Sequence, residues 1–225
     1  MSRVLTFEYR GLGPDRFLSD YEEAWELQRG IHAAVSRGER PGHVILLEHH
    51  PVYTAGRATL PVERPFDGTP VIDVDRGGRI TWHGPGQLTG YPILRLPEGV
   101  GVVEPVRRFE AAVIDFLEEE GLSAVRIEGR TGVWFPATDG RPERKICAIG
   151  IRVARRTTMH GFALNVLPNG GAFGNIIPCG ISDAGVTSLA EERPGAWDVA
   201  QVAHDLEPHL RRHLEPLLEQ VGSRR

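Results

Sequence analysis

Glycine and proline cut this chain into short pieces, and that punctuation limits its fold more than any other feature. Its 225 residues include 27 glycines and 17 prolines, which imply many tight turns and a sheet-rich α/β protein rather than a helical bundle. Only three stretches hold helical spacing. Over residues 14–37, Phe17, Tyr21, Trp25, Ile31 and Val35 recur on one face, and Gly38 marks the end. Over residues 104–120, Val106, Phe109, Val113 and Phe116 do the same, with Gly121 as the stop signal. Asp198 caps a last helical stretch to about residue 220, which Pro208 is expected to kink or split.

Between these lie extended runs: 4–9, 44–47, a piece through Tyr53, 71–74, 79–82, 87–96, 124–127, 132–135, 145–153 and 158–166. Gly84-Pro85-Gly86 separates the runs at 79–82 and 87–96 and reads as a hairpin or sharp loop. No linker, composition shift or repeat divides the chain. The expectation is one α/β domain over 1–225, a mixed and mainly antiparallel sheet flanked by helices. Its core covers about 9–189 and its C-terminal helical stretch about 198–220.

The formal charge of −4 comes with no block of basic residues, so a nucleic-acid partner is not expected. Long apolar runs are absent and the first residues lack a signal-peptide core, which predicts a soluble, cytoplasmic protein off the membrane. Two cysteines, Cys147 and Cys179, are expected as free thiols in such a compartment.

Among 26 basic residues, Lys145 is the one lysine, so the remaining 25 are arginines. Arginine keeps its charge essentially always, whereas a lysine amine can lose its proton when desolvated. A position that keeps lysine in so arginine-rich a chain points to a need for an amine, although a biased genome would also make lysine scarce.

The stretch Arg76-Gly77-Gly78-Arg79-Ile80-Thr81-Trp82-His83-Gly84-Pro85-Gly86-Gln87 is the densest candidate site. Its glycine pair lets backbone approach a ligand, and Thr81 and His83 share one strand face with Trp82 opposite. A glycine-rich hairpin with a packed tryptophan is the plainer reading. Cys179 sits between Pro178 and Gly180, a turn whose amides can serve an oxyanion, or is simply a buried cysteine. Cys147 follows Lys145 by two positions, so regular alternation puts both on one face and makes Cys147 a rival nucleophile among apolar neighbours. His209 and His213 have helical metal-pair spacing without further ligands and read as solvated surface. His49-His50 face opposite ways on a strand end, and His160 has no evident place. A Walker loop and a Cys-x-x-Cys pattern are absent.

Together these segments resemble the lipoyl(octanoyl) transferases. The central match runs from Arg76 through Leu88-Thr89-Gly90-Tyr91-Pro92 and covers that family's signature. Arg144-Lys145-Ile146 with Ala148-Ile149-Gly150, then His160-Gly161-Phe162-Ala163-Leu164-Asn165, then Pro178-Cys179-Gly180-Ile181 resemble its other blocks in order. The resemblance implies the fold shared with biotin and lipoate ligases. It implies transfer of an octanoyl group from acyl carrier protein to a lysine of lipoyl domains, those of 2-oxoacid dehydrogenases and the glycine cleavage H protein, with no bound cofactor and no metal. Cys179 would carry the acyl thioester and Lys145 would assist it. Arg76, Gly77, Gly78, Arg79, Ile80, Thr81, Trp82 and His83, with Ala148, Ile149, Gly150, Gly161, Phe162 and Ala163, would line the acyl pocket. Small residues at Gly77, Gly78, Gly161 and Ala163 would leave room for the chain, and Arg57, Arg155 and Arg156 would sit at a rim facing acidic carriers. Two other enzymes are compatible with such a fold, an ATP-dependent lipoate or octanoate ligase and an amidotransferase between lipoyl domains. A non-catalytic binder of lipoyl domains is the alternative from another class.

Overall fold

A computed structural model describes residues 4–65, 68–138, 140–176 and 184–218. Strands β1 (Thr6–Arg10), β2 (His43–Leu47), β6 (Gln87–Ile93), β7 (Val125–Ile127), β8 (Arg130–Phe135), β9 (Arg144–Ala154), β10 (Thr157–Asn165) and β11 (Gly185–Val186) form the large sheet. Its order is β1-β2-β6-β10-β9-β8-β7, with β11 also paired to β9. The β1–β2 and β11–β9 pairs are parallel and the others antiparallel, so the sheet is mixed and mainly antiparallel as expected.

A second, three-stranded sheet was not foreseen. Strand β3 (Val52–Ala55) lies between β4 (Val71–Asp73) and β5 (Thr81–His83). Strands β5 and β6 thus belong to different sheets, and Gly84-Pro85-Gly86 is the sharp loop that carries the chain from one to the other, not a hairpin. Adjacent extended runs suggest a hairpin by default; here Tyr53, not β6, pairs with Trp82.

Helices cover both faces of the large sheet, and the single-turn α3 (Leu189–Glu192) precedes the last long one. Strand β2 shows why it must be buried on both sides: Val44 and Leu46 join the core under α2 (Val103–Glu119) and α4 (Val199–Leu214), while Ile45 and Leu47 join that under α1 (Tyr21–Ser36). Helix α1 begins at Tyr21, where the Asp20 carboxylate accepts the Glu22 and Glu23 amides at 2.8 and 3.1 Å. The expected start at residue 14 fails because Phe17 precedes this cap and stands half exposed. Asp198 caps α4 as expected, accepting from Gln201 N–H at 3.0 Å, but Pro208 lies inside a helix that continues to Leu214. His209 and His213 are not solvated surface. His209 is buried with Nε2 2.8 Å from Glu119, and His213 Nε2 lies 2.7 Å from Asp115, so the two rings tie α4 to α2. Among the described residues no helix is long and apolar enough to cross a membrane.

Candidate active site

The sheet face under α1 carries a cavity of about 440 Å³. Its walls come from the loop before β5 (Arg76, Gly78, Arg79), from β5 itself (Thr81, His83), from β6 (Thr89, Tyr91) and from the long β9–β10 pair.

Lys145 reaches this cavity through an irregularity in β9. Trp134 pairs with Lys145 and Val133 with Cys147, so one step on β8 matches two on β9, and Ile146 is the extra residue of a bulge. Beyond the bulge, Ala148 and Gly150 face the cavity while Cys147, Ile149 and Ile151 enter the core. Without it, Lys145 would lie in phase with the core-facing residues. Gly132 makes room for the distortion: its φ is 115°, and a Cβ there would come 2.4 Å from the Cys147 carbonyl oxygen. The expectation that Cys147 shares a face with Lys145 therefore fails. Cys147 is fully buried, its thiol lies 3.7 Å from its neighbour's carbonyl, and desolvation pushes its pKa far above the usual thiol range.

The Lys145 ammonium lies 4.6 Å from the centre of the buried Trp134 ring. Parallel pairing of β11 sets Val186 beside Lys145, and the Thr187 amide donates to the Lys145 carbonyl at 3.0 Å. Thus the chain returning from the segment that contains Cys179 runs alongside the lysine. Cys179 itself lies outside the described residues.

His83 anchors a buried polar chain. Its Nδ1 is 2.8 Å from Gln87 Oε1, and the Gln87 amide donates to Trp82 O and Asn165 Oδ1 at 3.2 and 2.9 Å. Asn165 in turn donates to the Thr187 carbonyl at 2.9 Å. The Gln87 amide orientation makes Nδ1 the donor and leaves Nε2 as a bare acceptor. Burial, with His49 and Arg76 adding to it, holds the His83 pKa well below the ordinary range. His49 is buried beside it and donates to Ser19 O at 3.0 Å while accepting from Tyr91 OH at 2.7 Å. Tyr21 stacks on His83 with centroids 5.8 Å apart, so α1 closes one end of the site. His160, left unplaced by the sequence, borders the cavity with Nε2 2.7 Å from Asp75 Oδ1 and a backbone φ of 60°.

Most of the expected lining is present: Arg76, Gly78, Arg79, Thr81, His83, Lys145, Ala148, Ile149, Gly150, Gly161, Phe162 and Ala163. Three residues are not. Ile80 and Trp82 pack with Tyr53 and Ile176 on the opposite face of the small sheet. The Gly77 amide instead donates to Ile151 O at 3.0 Å and closes the loop onto β9. Ile149 and Phe162 belong to the core cluster, so strand alternation leaves only their backbone to the cavity. At Gly161 a Cβ would come 2.1 Å from Gly90 O, so the missing side chain also lets β6 and β10 approach. Arg155 and Arg156 form the β9–β10 turn away from the cavity, where Arg156 donates to Leu96 O at 3.0 and 3.2 Å. Sequence reasoning missed Tyr21, Ala58, and the hairpin residues Gly129, Arg130 and Thr131, which also line the cavity.

The catalytic-domain model of lipoyl protein ligases A and B matches residues 20–211. The chain belongs to this family. Within it, the chain is 58% identical over 214 residues to the octanoyltransferase of Cutibacterium acnes, covering 92% of this chain and 79% of that protein. It is 60% identical over 199 residues to the octanoyltransferase of Salinispora tropica, covering 88% and 92%. Its fold is similar to that of a bipartite lipoate protein ligase solved from Thermoplasma acidophilum. That match has a TM-score of 0.67 at 14% identity and covers 93% of this chain and 82% of that one. The chain is thus an acyltransferase, and its activity is octanoyl transfer in protein lipoylation.

Proposed function

We propose that the reaction runs through a thioester on Cys179, with Lys145 moving protons. The donor is octanoyl-acyl carrier protein, and the acceptor is a lysine of a lipoyl domain, in 2-oxoacid dehydrogenases or the glycine cleavage H protein. The carrier-protein donor places the reaction in the cytoplasm, and no bound cofactor is required. The observation that carries the reading is Lys145, turned by the bulge into a cavity walled by the same glycine-rich segments.

The Cys179 thiolate attacks the octanoyl carbonyl, the carrier thiolate leaves, and the Lys145 ammonium protonates it. The acceptor amine then attacks the Cys179 thioester, neutral Lys145 takes the amine proton, and the amide leaves as the thiolate reforms. Splitting the transfer this way keeps each barrier modest. A free thiol ionises near pH 8.5, so only a few per cent is thiolate at neutral pH. A lysine amine is about two units more basic, which favours the thiolate–ammonium pair by roughly 2.6 kcal/mol before desolvation. Burying the octanoyl chain adds about 0.8 kcal/mol per methylene. The bare Nε2 of His83 offers an acceptor for a group entering the site.

The test is to incubate the purified protein with octanoyl-acyl carrier protein, without acceptor or ATP, and to take its intact mass and peptide map. One octanoyl group on Cys179 is expected. An unmodified protein that acylates a lipoyl domain only when given ATP and free octanoate would make it a ligase.

A further inference from the structure

The cavity is lopsided in charge. Arg76, Arg79, Arg130 and Lys145 border it, and among the described residues no carboxylate does. The whole chain has 30 acidic and 26 basic residues, so this lining departs from its general composition. An octanoyl group is neutral and calls for none of these cations.

Two of the four have evident work. Lys145 serves the thiol in the reading above. Arg76 is buried and donates to the carbonyls of Thr54, Gly77 and Arg79 at 2.9, 3.1 and 2.8 Å, so it shapes its own loop. Arg79 and Arg130 differ from them in place. Both are only partly buried, whereas Lys145 and His83 lie deep, so the two arginines stand at the opening. They arrive from separate elements, one from the loop before β5 and one from the start of β8. Each is braced by a carboxylate that is not part of the lining, Glu63 on Arg79 and Glu143 at 3.1 Å on Arg130. A guanidinium has five N–H donors, so such bracing is compatible with binding a further anion, and phosphate suits that fork well.

We infer that Arg79 and Arg130 form a phosphate subsite at the cavity mouth, which receives the phosphodiester of the phosphopantetheine arm bearing the octanoyl group. The inference rests on the carrier-thioester reading above. One arm holds both the thioester and the phosphodiester, so a cavity that takes the thioester beside Lys145 leaves the phosphodiester toward the opening.

Two small donors test it without a carrier protein: octanoyl-pantetheine and octanoyl-4′-phosphopantetheine, compared by KM for acylation of the enzyme. In the unaltered protein the phosphorylated donor is expected to show a KM lower by about tenfold or more, the scale of one charge-assisted hydrogen bond. In Arg79→Ala and Arg130→Ala that ratio falls toward one, whatever each variant's absolute rate. Arg79→Lys and Arg130→Lys keep part of it, which a mere folding defect would not do. Because the ratio is taken within each protein, lost stability does not mimic the result. Equal KM values for the two donors in the unaltered protein would overturn the subsite, as would a ratio that survives both alanine variants. Acylation by neither donor, with activity restored by ATP and octanoate, would overturn the carrier-thioester reading itself and is distinguishable from both.

Discussion

Lys145 stands opposite Trp134 across the β8–β9 pair, and it looks into the cavity only because Ile146 is an extra residue in the ladder. The indole face helps to hold the cation, since its ring quadrupole attracts positive charge even where water is scarce.

Lys145→Arg separates thiolate stabilisation from proton cycling. Arginine can stabilise a thiolate but does not cycle a proton at neutral pH. Octanoylation of the enzyme is expected to persist in this variant, while transfer to a lipoyl domain slows by about a hundredfold or more, the scale of lost acid–base catalysis. Single-turnover measurements of each half-reaction decide it, and equal losses in both would count against proton cycling.

Cys147 lies in the core, on the other side of the sheet from the lysine, and no part in the chemistry is expected of it. Cys147→Ala should leave enzyme octanoylation in place and lower stability by about 1 kcal/mol through the small void it creates. Alkylation of the folded protein followed by peptide mapping should miss Cys147. Loss of octanoylation in Cys147→Ala alone would reverse the assignment.

Gly90 and Phe162 face each other across β6 and β10, and a Cβ on Gly90 would fall 2.2 Å from the Phe162 ring. The ring is locked in the core against Phe109, at 6.5 Å between centroids, and has little freedom to move. Gly90→Ala should destabilise the fold by roughly 1–3 kcal/mol through overpacking. Adding Phe162→Leu should recover part of that loss, a coupling measurable by urea unfolding in a double-mutant cycle. Strictly additive losses would show that the ring is not the obstacle.

Burial keeps His49, His83 and His160 neutral, the first and last held down to about 4. In the unfolded chain each titrates near 6.5, so between the two values unfolding takes up protons. Their contribution to stability is therefore complete above about pH 6.5 and is lost as pH falls toward the folded values. The urea midpoint should drop between pH 7 and pH 5, and His49→Gln should flatten that drop. A midpoint independent of pH over this range would contradict the burial argument.

Local patterns made much of this legible. The helix at 103–119 and the Asp198 cap follow from spacing and capping chemistry that act within one turn. The glycine-rich stretch from Arg76 to Gln87, with the Lys145 and Gly161 blocks, marked three of the cavity walls. What escaped depends on partners distant in the chain. The bulge at Ile146 is visible only in the register against β8, because its cause, Gly132, sits on the other strand. Tyr21 enters the site from α1 and Arg130 from a hairpin, and nothing in either local sequence points inward. His209 looked solvated because its helix is charged, yet its partner Glu119 belongs to α2. The separate small sheet was hidden for the same reason, since strand pairing across Gly84-Pro85-Gly86 is decided by Tyr53.

A lining with no carboxylate among the described residues also acts on whatever amine comes to be acylated. In water a substrate lysine is an ammonium, which has no lone pair to attack with. Beside Arg76, Arg79 and Arg130, a further positive charge is disfavoured and its proton is held less tightly. Such a lining disfavours an ammonium and favours a neutral amine, so an entering amine would be primed by its surroundings before any base touched it.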